Sequence, residues 1–507
     1  MHSLTFEQWQ SMAHEIQLDT RPIVGGVGFN PNTNERFQSL NPHNNTPVFE
    51  YYACGEKDVV RVADAARKAF DDGRWSRLTP MTRKAMLLKF ADLLEQHIEE
   101  LALLDCLEMG KPVTNALAFD LPMGVANLRY FAEAIDKFYG AVAPSCSDSL
   151  TFQRYHPCGV IAAITPWNFP VTNVLIKLAP ALAAGNVCVF KPSEVAPGSA
   201  LRLVQLAAEA GIPEGVLSVI TGQGDTGRLL AEHPNIDLIT FTGSTNTGKA
   251  LLQSAGAANL KRTLLECGGK SPQIVFADIK ELNLQKIAEK LVMDAMFNQG
   301  QLCVAKTRLL IQRELYQPLL GLVVEHAATL VPGNPLDPAV AFGPLANAQQ
   351  QQVVNDYITL GKKEGARPLV GDTRIPEQGC YVAPTVFADV NPECRLAQEE
   401  IFGPVLSVIP FTTPEQALTI ANGSRYGLSA NVWTTNLGVG HQFSQYLNCG
   451  DIAIYGSEEE VEGAPLANSG EPMKDSGFGA ETGVAALKSY SLSKSISFSF
   501  AESGVLP

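Results

Sequence analysis

GVIAAITP (159–166), NVCVFKPS (186–193), GVLSVITG (215–222), IDLITFTG (236–243) and SPQIVFAD (271–278) are near-continuous apolar runs of strand length. Helical stretches such as SALRLVQLAAEAG (199–211) and TGRLLAEH (226–233) lie between them. Apolar strands spaced by helices predict a parallel sheet covered on both faces. Ligands of such sheets bind beyond the carboxyl ends of the strands, so the residues after each run are the ones to inspect.

Working outward, the alternation resumes between about 280 and 450. The helix ELNLQKIAEKLVMDAMF (281–297) is followed by TRLLIQ (307–312), PVLSVIPF (404–411) and LSANVWTT (428–435), which read as a second α/β unit. On the N-terminal side, the first 50 residues are rich in Asn, Pro and Gly and read as strands and turns. EKDVVRVADAARKAF (56–70) has the apolar spacing of a helix. A second helix is expected from Pro80 to Met109, stopped by Gly110-Lys111-Pro112, and a third from Leu121 to Tyr139. Strands are expected around Gly140–Ala143 and Leu150–His156. The tail SYSLSKSISFSF (489–500) alternates like an edge strand, pairing with another subunit or within the chain.

The chain has 507 residues, 46% hydrophobic and 18% charged, which excludes disorder and fits two or three domains at roughly 150 residues each. Lys plus Arg total 38 against 52 Asp plus Glu, a formal net charge of −14. That balance argues against a general nucleic-acid binder or a binder of anionic membranes. The ten cysteines form no CxxC pair, as expected of a reduced, intracellular protein. The N-terminus lacks a signal-peptide layout, and the longest apolar run, Val174 to Phe190, is broken by Lys177, Pro180, Gly185 and Asn186. A cytoplasmic protein is the expectation.

Several positions could carry chemistry. Gly222–Gly227 matches G-x-G-x-x-G between a strand and a helix, which suits either a pyrophosphate or a plain turn. Gly243-Ser244-Thr245 repeats that logic one strand later, and the two turns together favour a dinucleotide site. Lys191 and Glu194 follow another strand, where they face a ribose or form a solvated loop; a carboxylate there disfavours a 2′-phosphate. Cys303 stands out among the cysteines for its polar, flexible lead-in, Asn298 to Gln301, and a nucleophilic thiol calls for exposure and a lowered pKa. Glu266 ends an apolar strand before two glycines, as a desolvated base or as a strand entering solvent. Asn168, between Trp167 and Phe169 and flanked by Pro166 and Pro170, suits an oxyanion donor or a turn-closing side chain.

Taken together, TPWNFP (165–170), FKPSE (190–194), FTGST (241–245), LECGGKSP (265–272), FNQGQLC (297–303), EEIFGPV (399–405), YGLSANVWT (426–434) and EMGKP (108–112) resemble the aldehyde dehydrogenase superfamily, in its order and over nearly the whole chain. The resemblance implies two Rossmann-like parallel-sheet domains and a small β oligomerisation element. On that reading residues 1–138 and 157–265 form the NAD-binding domain and 266–483 the catalytic domain. Residues 139–156 and 484–501 form the oligomerisation strands of a homodimer or homotetramer. It implies Cys303 as nucleophile, Asn168 with the Cys303 backbone N–H as oxyanion donors, and Glu266 as the base that activates water. Trp167, Lys191, Glu194, Gly243, Ser244, Glu400 and Phe402 would hold NAD, with NADP less favoured. Glu266 favours hydrolysis over transfer to coenzyme A. No metal is implied.

The implied substrate tunnel is Phe169, Asn173, Ile176, Phe297 and Leu302, mostly apolar, which favours an aliphatic or aromatic aldehyde. The acidic run Glu458–Glu460, if at the mouth, would instead favour aminoaldehydes. Three departures from the family pattern stand out. SGEPMKDSGFGAETG (469–483) keeps Lys474, Ser476, Gly477 and Glu481 but replaces a PFGG element and has Ala480 where arginine is common. The preceding loop, 456–472, is longer than usual. Cys267 beside Glu266 replaces a more usual aliphatic residue, as an inert packing group or an oxidation-sensitive neighbour.

Overall fold

The computed structural model describes residues 4–145, 148–371, 374–459 and 470–500. Two large sheets organise them. In the first, five parallel strands run in the spatial order Leu217–Val219, Val187–Lys191, Val160–Ile164, Leu238–Thr242, Arg262–Glu266. Short antiparallel strands, Ile23–Val24 and Gly477–Phe478, pair with the two outer members. Chain order reverses between Val160–Ile164 and Leu238–Thr242, so a crevice opens at their carboxyl ends.

The apolar runs are continuous because these strands are buried on both faces. Ile161, Ala163, Cys188 and Phe190 face one core. Val160, Ala162, Ile164, Val187 and Val189 face the other. Each fully buried Val, Ile or Phe contributes about 1.5–3 kcal/mol relative to exposure.

The second sheet has the order Arg367–Val370, Thr385–Ala388, Val405–Phe411, Arg308–Gln312, Pro272–Val275, Ser429–Trp433, Asp451–Tyr455. All its pairings are parallel except that of Arg367–Val370. Here too Ile274, Leu310 and Val432 face one core, and Val275, Leu309, Ile311 and Trp433 the other. SPQIVFAD, read with the preceding four runs, therefore opens a different sheet. Nothing in its composition marks the switch, since a central strand of either sheet demands the same apolar residues.

Other expectations shift at their edges. The helix expected from Pro80 to Met109 is two, Pro80–Gln96 and Ile98–Met109, broken at His97, whose φ of −107° and ψ of 20° leave the helical region. The helix from Leu121 ends at Ala134 in a 3-10 turn. Gly140–Ala143 makes only the bridge Val142–Phe152. The tail strand, Ser491–Ser499, pairs antiparallel within the chain with Ser149–Pro157. Among the described residues no helix is long and apolar enough to cross a membrane.

Candidate active site

Two adjoining cavities occupy the crevice. One, of about 380 Å³, is lined by Lys191, Ser193, Glu194, Gly224, Gly227, Gly243, Ser244 and Thr247 among others. The second, of about 330 Å³, holds Asn168, Phe169, Asn173, Leu302, Cys303, Glu400 and Phe402. Pro166, Trp167, Thr242, Gly243 and Ser244 line both.

The first cavity sits against two helix starts. Gly224–Glu232 begins at one side, and Thr245–Ala258 is capped at the other by Ser244, whose Oγ accepts from the Thr247 N–H at 3.2 Å. Glu194 is exposed, while Lys191 is buried and its Nζ donates to the Pro192 carbonyl at 3.0 Å. Burial pulls the Lys191 ammonium down to about 8, with the Glu194 charge opposing. Gly227 leaves the wall open beside the Lys191 side chain. A long cleft with two helix N-termini, a buried lysine and a carboxylate at its rim matches the donor set a dinucleotide needs.

In the second cavity Asn168 is nearly fully buried. Its Nδ2 donates to the Gln301 carbonyl at 2.9 Å, and its Oδ1 accepts from Asn173 Nδ2 at 3.0 Å. Asn173 thus fixes which way the Asn168 amide points. The Cys303 lead-in is not flexible. Asn298, Gln299 and Gly300 are consecutive left-handed residues, with φ of 50°, 58° and 70°, and Asn298, Gln299 and Gln301 are buried. Asn298 Nδ2 donates to the Asn168 carbonyl at 3.0 Å, and the Ala346 N–H donates to Gln301 Oε1 at 2.9 Å. The polar side chains are used to hold a strained turn, and that turn presents Cys303 to the cavity.

The Cys303 thiol is not lowered as expected. Burial first, then the Glu266 and Glu400 charges, push it up to about 12, while the Val304 and Cys303 N–H groups pull the other way. Glu266 is partly buried at the end of its strand and pairs with Thr242 and Gly477. Burial raises its pKa strongly, Glu481 adds to this, and Lys177 opposes it. Lys177 is fully buried, donates to Thr240 Oγ1 at 3.2 Å and forms an ion pair with Glu481. Glu400 accepts from the Gly269 N–H at 3.1 Å, and burial raises it to about 7. Phe402 meets Trp167 edge to face at 5.4 Å, and Gln350 Nε2 donates to the Phe402 carbonyl at 2.9 Å.

A family model, "Aldehyde dehydrogenase family", matches residues 29–496. The chain belongs to the aldehyde dehydrogenase family. It is similar to the NADP/NAD-dependent aldehyde dehydrogenase PuuC of Escherichia coli K12, with 42% identity over 98% of each chain. It is also similar to an aminoacetaldehyde dehydrogenase of Pseudomonas aeruginosa, with 38% identity over 94% of this chain and 95% of that one. Among solved structures, an indole-3-acetaldehyde dehydrogenase in complex with NAD+ superposes with a TM-score of 0.95. The identity is 42%, over 98% of this chain and all of that one (100%).

Of the tunnel residues expected in this dehydrogenase, Phe169, Asn173 and Leu302 line the Cys303 cavity. Ile176 and Phe297 do not, although Phe297 stacks on Phe169 at 6.3 Å and Ile176 follows Asn173 on the same helix face. The sequence reading missed Phe119, which meets Phe297 edge to face at 5.2 Å from within a π-turn, Ala116–Asp120. It also missed Gln350 and the Lys177–Glu481 pair. Cys267 lines the cavity, and its thiol is pushed up to about 12 by burial, which suits a packing group. Of the acidic run, Glu460 lies outside the described residues, as does most of the 456–472 loop.

Proposed function

We propose that this chain oxidises an aldehyde to its carboxylic acid with NAD, through covalent attachment to Cys303. The observation that supports it is the opening of Asn168 and Cys303 onto one cavity that adjoins the dinucleotide-shaped cleft. Lys191, Glu194, Ser244, Glu400, Trp167 and Phe402 would hold the cofactor, which supplies the hydride acceptor when bound. Glu194 at the rim favours NAD by repelling a 2′-phosphate.

The chain's own residues then have these tasks. Cys303 gives its thiol proton to Glu266, the neighbouring carboxylate, and its Sγ attacks the carbonyl carbon; loss of hydride from that carbon to the bound acceptor would leave a thioester, and Glu266 returns the proton to solvent. Asn168 has spent one amide hydrogen on Gln301, and its second is available to the developing oxyanion, together with the Cys303 N–H. Glu266 removes a proton from the water that cleaves the thioester. The substrate is an apolar aldehyde, aliphatic or aromatic, because Phe119, Phe169 and Phe297 cluster beside the cavity.

A second reading, an aminoaldehyde, is supported by the similar aminoacetaldehyde dehydrogenase and by a γ-glutamyl-γ-aminobutyraldehyde dehydrogenase structure with 41% identity. NADH formation from phenylacetaldehyde and 3-aminopropanal separates the two, since the apolar reading expects the larger kcat/KM for the former. Cys303→Ala abolishes turnover on either, and activity surviving it overturns the mechanism. Asn168→Ala lowers kcat by about 10²–10³-fold.

A further inference from the structure

Lys111, in the stretch EMGKP, takes no part in the chemistry described above, yet it is 1% exposed. A lysine is buried this deeply only when paired. Its partner is Asp120, 0% exposed, with which it forms an ion pair. The same ammonium lies over the ring of Phe169, 3.7 Å from its centroid. Phe169 lines the Cys303 cavity. One buried cation therefore holds a carboxylate and a wall of the substrate cavity at once.

Each partner is fixed by its own element. Gly110, with φ of 76°, ends the helix Ile98–Met109 just before Lys111, and the Val113 N–H donates to the Pro335 carbonyl at 2.9 Å just after it. Asp120 closes the π-turn Ala116–Asp120, a geometry that recurs at functional sites. Phe119, in that turn, meets Phe169 edge to face at 6.3 Å and Phe297 at 5.2 Å. Thr172, on the helix that follows Phe169, donates its hydroxyl to the Asp120 carbonyl. Asp105, also fully buried, does not compete for the lysine as an anion. Burial raises its carboxyl strongly, the Asp120 charge adds to this, and Lys111 opposes it. Lys111, Asp120 and the three phenylalanines thus form one connected body behind the cavity.

Stability does not account for the pair. Taking two charges out of water is expensive, and apolar side chains of similar volume often serve a core as well or better. The pair adds direction, because an ammonium between one carboxylate and one ring face has a single place to sit.

We propose that Lys111 is a positioning residue for the substrate: it holds Phe169 and, through Asp120, Phe119 at the angles that make an aromatic slot for the aldehyde's side chain. The inference rests on the apolar-aldehyde reading above and deepens it, because a rigid slot rewards a flat aryl group more than a short alkyl one.

Lys111→Met is assayed with phenylacetaldehyde and with acetaldehyde, whose single methyl group offers the slot little. The expected result is a KM for phenylacetaldehyde raised about tenfold, as when an aromatic contact and a cation–π contact are both loosened, with KM for acetaldehyde and for NAD moved by less than about twofold. Removing Lys111 leaves Asp120 buried and unpaired. Should that variant fail to fold, Asp120→Asn decides, since it keeps the shape and an acceptor for Lys111; KM for phenylacetaldehyde then rises about threefold with the same selectivity. A KM that rises equally for both aldehydes, a loss confined to kcat, or no change overturns the assignment. The wild type's choice between phenylacetaldehyde and 3-aminopropanal judges the apolar reading, whereas the change from wild type to variant judges Lys111, so the two fail separately.

Discussion

Glu266 carries the clearest electrostatic consequence. Burial and the Glu481 charge hold its carboxyl protonated above the ordinary range, while Lys177 works against them. As a base it acts only when deprotonated, so thioester hydrolysis should rise with pH through its pKa and be weak below it. Glu481→Gln removes a raising charge and should move that rising limb to lower pH. Lys177→Met removes a lowering charge and should move it to higher pH. Rate profiles under single-turnover conditions check the signs, and shifts in the same direction for both variants would contradict the account. Local context marks Glu266, Asn168 and Cys303 as candidates but leaves Glu266 readable as a strand entering solvent and Asn168 as a turn-closing side chain, and their roles rest on the resemblance to the family. Lys177 and Glu481 could not be paired from the sequence, because 304 positions separate them and only the folded sheet brings them together. The Cys303 lead-in misled for a related reason: glycine and amides signal flexibility until their hydrogen bonds are known.

Elements were legible where both faces of a strand are buried. The run 159–164 tolerates no polar residue, and its sequence says so. Boundaries were less legible. The break at His97 and the switch of sheet at Pro272 depend on what the chain packs against, which local composition does not encode. Close packing of one helix makes a testable case. Gly248 lies on the helix Thr245–Ala258 above Cys267, and a Cβ there would lie 2.8 Å from the thiol sulfur. Gly248→Ala should cost about 1–3 kcal/mol by overpacking. Cys267→Ala in the same chain should recover part of it, a coupling of about 0.5–3 kcal/mol in denaturant titrations. Additive effects would show that the two positions do not touch. This contact also gives Cys267 its reason for being small.

At the scale of the whole molecule, the chain visits the first sheet, builds the second, and then returns. Gly477–Phe478 pairs with Leu265 and Glu266, Ser476 Oγ donates to the Gly268 carbonyl at 2.8 Å, and Glu481 reaches Lys177. Gly477 has φ of 114°, and a Cβ would run into the Leu265 carbonyl. Gly477→Ala should therefore cost about 1–3 kcal/mol from the backbone conformation alone. A lowered Tm with slowed hydrolysis of the acyl-enzyme is the expected pair of effects; a lowered Tm with normal hydrolysis would separate this strand from the chemistry.

The same return has a consequence for biosynthesis. A ribosome makes the nucleophile at position 303 long before the carboxylate at 481 that helps set the base. An emerging chain therefore carries its thiol unsupported, and every incomplete translation product lacks that control. Completion of the polypeptide is the event that closes the outer edge of the first sheet.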